Sequence, residues 1–130
     1  MTDREWHQFF TTAIRVLGAG ELRLADTPSW CSWTTFTRLF GDAGYWTAGL
    51  PRGIEVRDTH IADSGIWGQP FLFSDLAHIV IPREFYWETD ARPGWQCGSR
   101  AQDIVRLSSE LDAAGVPHRT TDKVLEVKVY

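Results

Sequence analysis

Cysteine is scarce in this chain. Cys31 and Cys97 are the only two in 130 residues, and they lie far apart with no Cys-x-x-Cys spacing. That excludes a disulfide framework and a thiolate zinc site, leaving either a single bridge or two reduced, partly buried thiols, the expected state in a cytosolic protein. No stretch approaches the roughly 20 apolar residues of a membrane-spanning helix. The opening MTDREWHQFF has neither the basic start nor the apolar run of a secretory leader. A cytoplasmic chain that does not enter the membrane is the expectation. The glycines form neither a phosphate-binding loop nor a dinucleotide fingerprint, so no cofactor is expected. Asp63-Ser64-Gly65 lacks the Gly-x-Ser-x-Gly of a nucleophile elbow.

Aromatic side chains, by contrast, are abundant. Seven Trp, seven Phe and three Tyr suit either a core of large wedges or a protein interface. Hydrophobic content of 43% is ordinary, so one domain of this length can bury a core unaided. The net charge of −4 is unevenly spread: residues 55–90 hold seven acids (Glu55, Asp58, Asp63, Asp75, Glu84, Glu88, Asp90) against Arg57 and Arg83. That stretch stands at −5 and the remainder at +1. With no Lys/Arg stripe and an acidic aromatic middle, nucleic-acid binding is disfavoured and a basic partner favoured. The bland reading of these acids is that they solvate strand and loop surfaces.

Two helices stand out. Residues 2–17 carry a Thr2-x-x-Glu5 capping box, apolar residues at helical spacing and a stop at Gly18. Residues 99–114 pair Ser99 with Gln102 in a second such box, present Ile104, Leu107 and Leu111 on one face, and end before Gly115. Strands are predicted at 21–25, within the threonine-rich 34–40 (a short helix capped at Thr34 or Thr35 being the alternative), at 54–61 and at 76–81. The 76–81 strand ends or lies at an edge at Pro82. Residues 41–53, 62–70 and 88–97 read as loops, and the C-terminus as a hairpin turning near Thr121-Asp122. The order predicts an α+β domain over 1–130. It would hold a mostly antiparallel sheet of four to six strands with both helices on one face.

Catalytic patterns are thin. Asp58-x-His60-x-x-Asp63, joined by Asp75 and His78 on the next strand, could hold a divalent metal in a small metal-dependent enzyme. Cys97 would sit just before a helix start, which would lower its thiol pKa. What remains is recognition. Trp67, Tyr86, Trp87 and Trp95, beside Asp63, Asp75, Glu84, Glu88 and Asp90, give aromatic anchors rimmed by acids, the chemistry of an interface for a basic partner.

The capped aromatic first helix, the central PFLFSDLAHIVIPRE and the closing LSSELDAAGVPHRTTDKVLEVKVY together resemble small single-domain bacterial proteins of unassigned function, including predicted immunity proteins of toxin systems. The resemblance covers about half the chain and brings no catalytic residues with it. It implies a non-enzymatic protein that binds and blocks a cognate toxin, and transfers no binding residue; the acidic, aromatic surface spanning residues 58–95 is read from the residues themselves. The metal-dependent enzyme and a homodimer that buries its own aromatic edge are the alternatives.

Overall fold

The computed structural model describes residues 1–91 and 94–130. Helix α1 (Asp3–Leu17) begins as its capping box requires: the Thr2 hydroxyl accepts from Glu5 N at 3.1 Å and Glu5 Oε1 accepts from Thr2 N at 2.9 Å. These bonds satisfy orphan amides of the first turn. They also hold the Glu5 carboxyl below its ordinary pKa. Trp6, Phe9, Phe10 and Ala13 form the buried face, and the chain leaves the helix at Gly18, whose φ of 97° few other residues adopt.

Strand β1 (Cys31–Thr35) runs directly into α2 (Phe36–Gly41), because Thr35 closes the strand and caps the helix by accepting from Arg38 N. The short-helix alternative thus holds for the second half of the threonine-rich segment. Then come β2 (Trp46–Ala48), β3 (His60–Ile61), β4 (Phe71–Leu72), β5 (Leu76–Pro82), β6 (Glu84–Ala91), β7 (Gly94–Ala101), α3 (Ile104–Ala113), β8 (Arg119–Thr120) and β9 (Val124–Lys128). The main sheet is antiparallel in the order β2-β1-β5-β9-β8, and β3-β4 and β6-β7 form separate two-stranded ribbons. Across the sheet Trp33 pairs with Ile79, Ile79 with Val127 and Ile81 with Leu125. Alternation puts these on one face. They join the α1 face and Ile104, Leu107 and Leu111 of α3 in one core. The α+β class, the two helices and the closing hairpin are therefore as expected.

Several local expectations fail for identifiable reasons. Residues 21–25 pair with no strand among the described residues and fold into turns, with Thr27 N bonded to Arg23 O and the Thr27 hydroxyl accepting from Glu21 N. Residues 54–61 are not one strand. A 3₁₀ turn at Gly53–Glu55 reverses the alternation, so Ile54 is exposed and Glu55 is buried. Trp46–Ala48, read as loop, is an edge strand.

Helix α3 starts at Ile104 because Asp103, not Ser99, accepts from the first-turn amide of Arg106. Ser99 pairs with Tyr86 in the β6-β7 ribbon, and the region 88–97, read as loop, is largely strand. Arg92 and Pro93, which that loop would have included, lie outside the described residues.

Candidate functional site

Paired residues on neighbouring strands share a face. In the β6-β7 ribbon the pairs Glu84–Ala101, Tyr86–Ser99, Glu88–Cys97 and Asp90–Trp95 therefore point one way, and Phe85–Arg100, Trp87–Gly98 and Thr89–Gln96 the other. Five of the nine residues predicted to bind a partner (Glu84, Tyr86, Glu88, Asp90 and Trp95) thus gather on one exposed face, with Trp95 59% accessible. The Tyr86 hydroxyl donates to Glu88 Oε2 at 3.1 Å, tying an aromatic to an acid. Hydrogen bonding with the Cys97 side chain, then desolvation, then Glu88 hold that hydroxyl well above the usual tyrosine range, so it stays a neutral donor.

The opposite face anchors the ribbon. Phe85 is buried and stacks on Trp30 at 6.0 Å. The Arg100 guanidinium donates to Ala25 O and Thr27 O while lying 5.9 and 5.6 Å from the Phe85 and Trp87 rings. Gly98 lets Trp87 pack closely across the ribbon, since a Cβ there would approach the indole to 3.0 Å. At the base, the Gln102 amide accepts from Trp30 N and donates to Trp30 O and Pro82 O. An isolated two-stranded ribbon is marginal in water. These contacts fix its root, and the part of each strand beyond them, residues 88–91 and 94–97, extends roughly 13 Å.

The other predicted binding residues lie elsewhere. Trp87 is half-buried on the anchoring face. Trp67, read as an accessible loop tryptophan, is only 5% exposed; it stacks on Trp33 at 3.7 Å and donates from Nε1 to Gly49 O at 3.0 Å. Asp63 is exposed on a turn where it accepts from Ser64 N, and Asp75 accepts from the Thr37 amide and hydroxyl. Asp75 precedes β5 and Glu84 follows it, so they are separated by a strand of roughly 20 Å. A single continuous surface over 58–95 therefore does not form.

Nor does the proposed metal cluster assemble. Asp58 lies in the turn closed by the Arg57 N to His60 O bond, His60 pairs with Leu72 and bonds Thr59, and His78 sits in the main sheet. Among the described residues no three His, Cys, Asp or Glu side chains are placed to hold a metal ion. Cys31 and Cys97 are both free. Cys31 is buried, which pushes its thiol pKa up, whereas Cys97 is exposed in mid-strand, so the helix-start argument for its reactivity lapses. Glu55, counted among the solvating acids, is 6% exposed, with Oε1 accepting from Ile66 N at 2.8 Å. Gly65 is obligatory against it: a Cβ there would lie 2.1 Å from Glu55 Oε1.

Sequence reasoning missed a polar chain on the wet face of the sheet. The Tyr45 hydroxyl lies 2.7 Å from His78 Nδ1, and His78 Nε2 lies 3.3 Å from Glu126 Oε2. The only available signal was the polar side of the 124–130 alternation. Burial, then Tyr130, then Glu126 raise the Tyr45 hydroxyl from 10.0 to about 12. Its contribution to stability is complete below pH 10.0 and is lost as pH rises towards about 12. Tyr45→Phe should therefore flatten the alkaline decline in stability. Urea midpoints of both proteins across that window check this, and parallel curves would overturn it.

Among the described residues no helix is long and apolar enough to cross a membrane. No family model, no curated protein and no solved structure matches the chain, so its function has to be read from its own side chains.

Proposed function

We propose that this protein is a non-enzymatic binding module that captures a basic protein partner on the outer face of the β6-β7 ribbon. In its sharpest form it is an immunity-type protein that neutralises a cognate toxin by covering a basic active site. The observation that carries the reading is the one-sided placement of Glu84, Tyr86, Glu88, Asp90 and Trp95 on a ribbon anchored at its base. Three carboxylates on one face steer a cationic surface into encounter, and Trp95 and Tyr86 supply apolar area once water is expelled.

The experiment takes the product of the adjacent gene as partner and measures affinity by calorimetry. Reversing Glu84, Glu88 and Asp90 together to Lys should weaken binding by about 10- to 100-fold and reduce its salt dependence, with the melting temperature unchanged. Unchanged affinity would sink the outer face as the recognition surface.

A homodimer is the second reading, favoured by one observation: β6 and β7 pair only with each other among the described residues, leaving an open edge on each. Open edges are templates for strand addition. Light scattering decides it, since a monomer at high concentration removes self-association.

A further inference from the structure

At the far end of β5 from the ribbon, a groove of about 740 Å³ opens between α2, the edge strand β2 and β4. Its size and character are those of a small-molecule site: mostly apolar walls with a few converging polar groups. Trp46, Pro70, Phe71 and Leu72 supply the apolar lining, and Leu72 is exposed at the rim.

The charges in the groove are not equivalent. Arg38 is charge-paired: its Nε donates to Asp42 Oδ1 at 2.7 Å and its guanidinium lies 4.7 Å above the Trp46 ring. The Gly44 amide and Arg38 hold the Asp42 carboxyl below its ordinary range, so that pair stays ionised and self-neutralising. Among the described residues Asp75 has no cation partner. Its Oδ1 accepts from the Thr37 amide at 3.3 Å and the Thr37 hydroxyl at 3.1 Å, which fixes the carboxylate, while Oδ2 has no hydrogen-bond donor among the described residues. A groove with apolar walls, one neutralised ion pair and one oriented carboxylate selects against anions. It matches a ligand that brings its own ammonium group.

We propose that the groove binds organic cations with an apolar body, of the arylalkylamine class, the ring against Trp46, Phe71 and Leu72 and the ammonium on Asp75. The site is separate from the ribbon, and its occupation does not depend on the partner-capture reading.

The test is an NMR titration of the full chain with tryptamine and, in parallel, with indole-3-acetate, which has the same ring and the opposite charge. Tryptamine should give saturable shifts at the amides of Thr37, Leu72 and Asp75, with affinity at least about tenfold above that of indole-3-acetate. Asp75→Asn keeps the acceptor for Thr37 and removes the charge, so it should bring the two affinities together with the fold intact. Leu72→Lys, at an exposed rim position, should weaken tryptamine binding without altering the spectrum elsewhere. Equal affinities in the unaltered protein, a preference that survives Asp75→Asn, or an absence of saturable shifts would each overturn the proposal.

Discussion

Replacing Trp67 with alanine is expected to lower stability by about 3–5 kcal/mol, the range for deleting a large buried aromatic. The indole is 5% exposed. It is packed parallel to Trp33 at 3.7 Å and edge-on to Phe10 and Phe71 at 5.3 and 5.4 Å. Truncation opens a cavity at the centre of this stack and strips the Gly49 carbonyl of its indole donor. The surrounding rings are held by the sheet and by α1, so they cannot collapse into the space. A thermal melt should show a drop of roughly 10 °C or more for a domain of this size. Trp95→Ala, on the exposed ribbon face, should change stability by no more than about 0.5 kcal/mol. The pair separates two residues that sequence alone assigns alike: Trp67 acts through stability, whereas Trp95 is exposed and carries no packing role. A Trp67→Ala protein that melts with the unaltered chain would contradict the core packing described above.

Gln102→Ala should cost about 3 kcal/mol, because a single buried amide satisfies three backbone groups and each one left bare costs roughly 1–3 kcal/mol. At 4% exposure, water has little access to replace it. The side chain bonds Trp30 N and Trp30 O at 3.0 Å each and Pro82 O at 2.9 Å, while its own amide donates to Arg83 O at 2.7 Å. It thus joins the loop before β1 to the end of β5 and the start of the ribbon. Pro82 has no N–H with which to continue the ladder, and its carbonyl accepts from the Gln102 side chain. Hydrogen exchange gives a specific readout: the Trp30 amide should lose protection in Gln102→Ala while α1 amides keep their order of protection. Gln102→Glu retains one acceptor but sets a carboxylate against two carbonyl oxygens, and should be worse than alanine. A loss below about 1 kcal/mol in Gln102→Ala would mean that the three groups find other partners.

How far the fold was legible follows from where each signal resides. Helix α1 was readable because its cap and its buried face lie within one continuous segment. Residues 76–81 and the final hairpin were readable for the same reason, since period-two alternation survives intact in both. The cap of α3, Asp103, lies four residues beyond the predicted cap, Ser99. Ser99-x-x-Gln102 imitates a capping box, but the backbone of Ser99 is committed to the ribbon and the Gln102 side chain to Trp30 and Pro82. Both commitments are non-local. The ribbon itself was hidden because its strands mix aromatics, acids and glycines, a composition that also describes a loop. Only the cross-strand register separates an acidic outer face from an anchoring one.

For the candidate sites the division is sharper. Sequence alone predicted an α+β domain, acidic and aromatic through its middle, without a phosphate loop, dinucleotide fingerprint or nucleophile elbow, and it left an Asp/His metal cluster open as an alternative. It also named Glu84, Tyr86, Glu88, Asp90 and Trp95 as candidates. Tertiary structure decided that these five share a face, that Trp67 belongs to the core, and that Asp75 belongs to a groove at the other end of β5. It also took Glu55 out of the surface charge, and it joined Tyr45, His78 and Glu126, residues up to 81 positions apart, into one hydrogen-bonded chain. The physical reason is the same in each case. Propensity and periodicity are set by near neighbours along the chain, whereas burial, facing and hydrogen-bond partnership are set by whatever the fold places alongside.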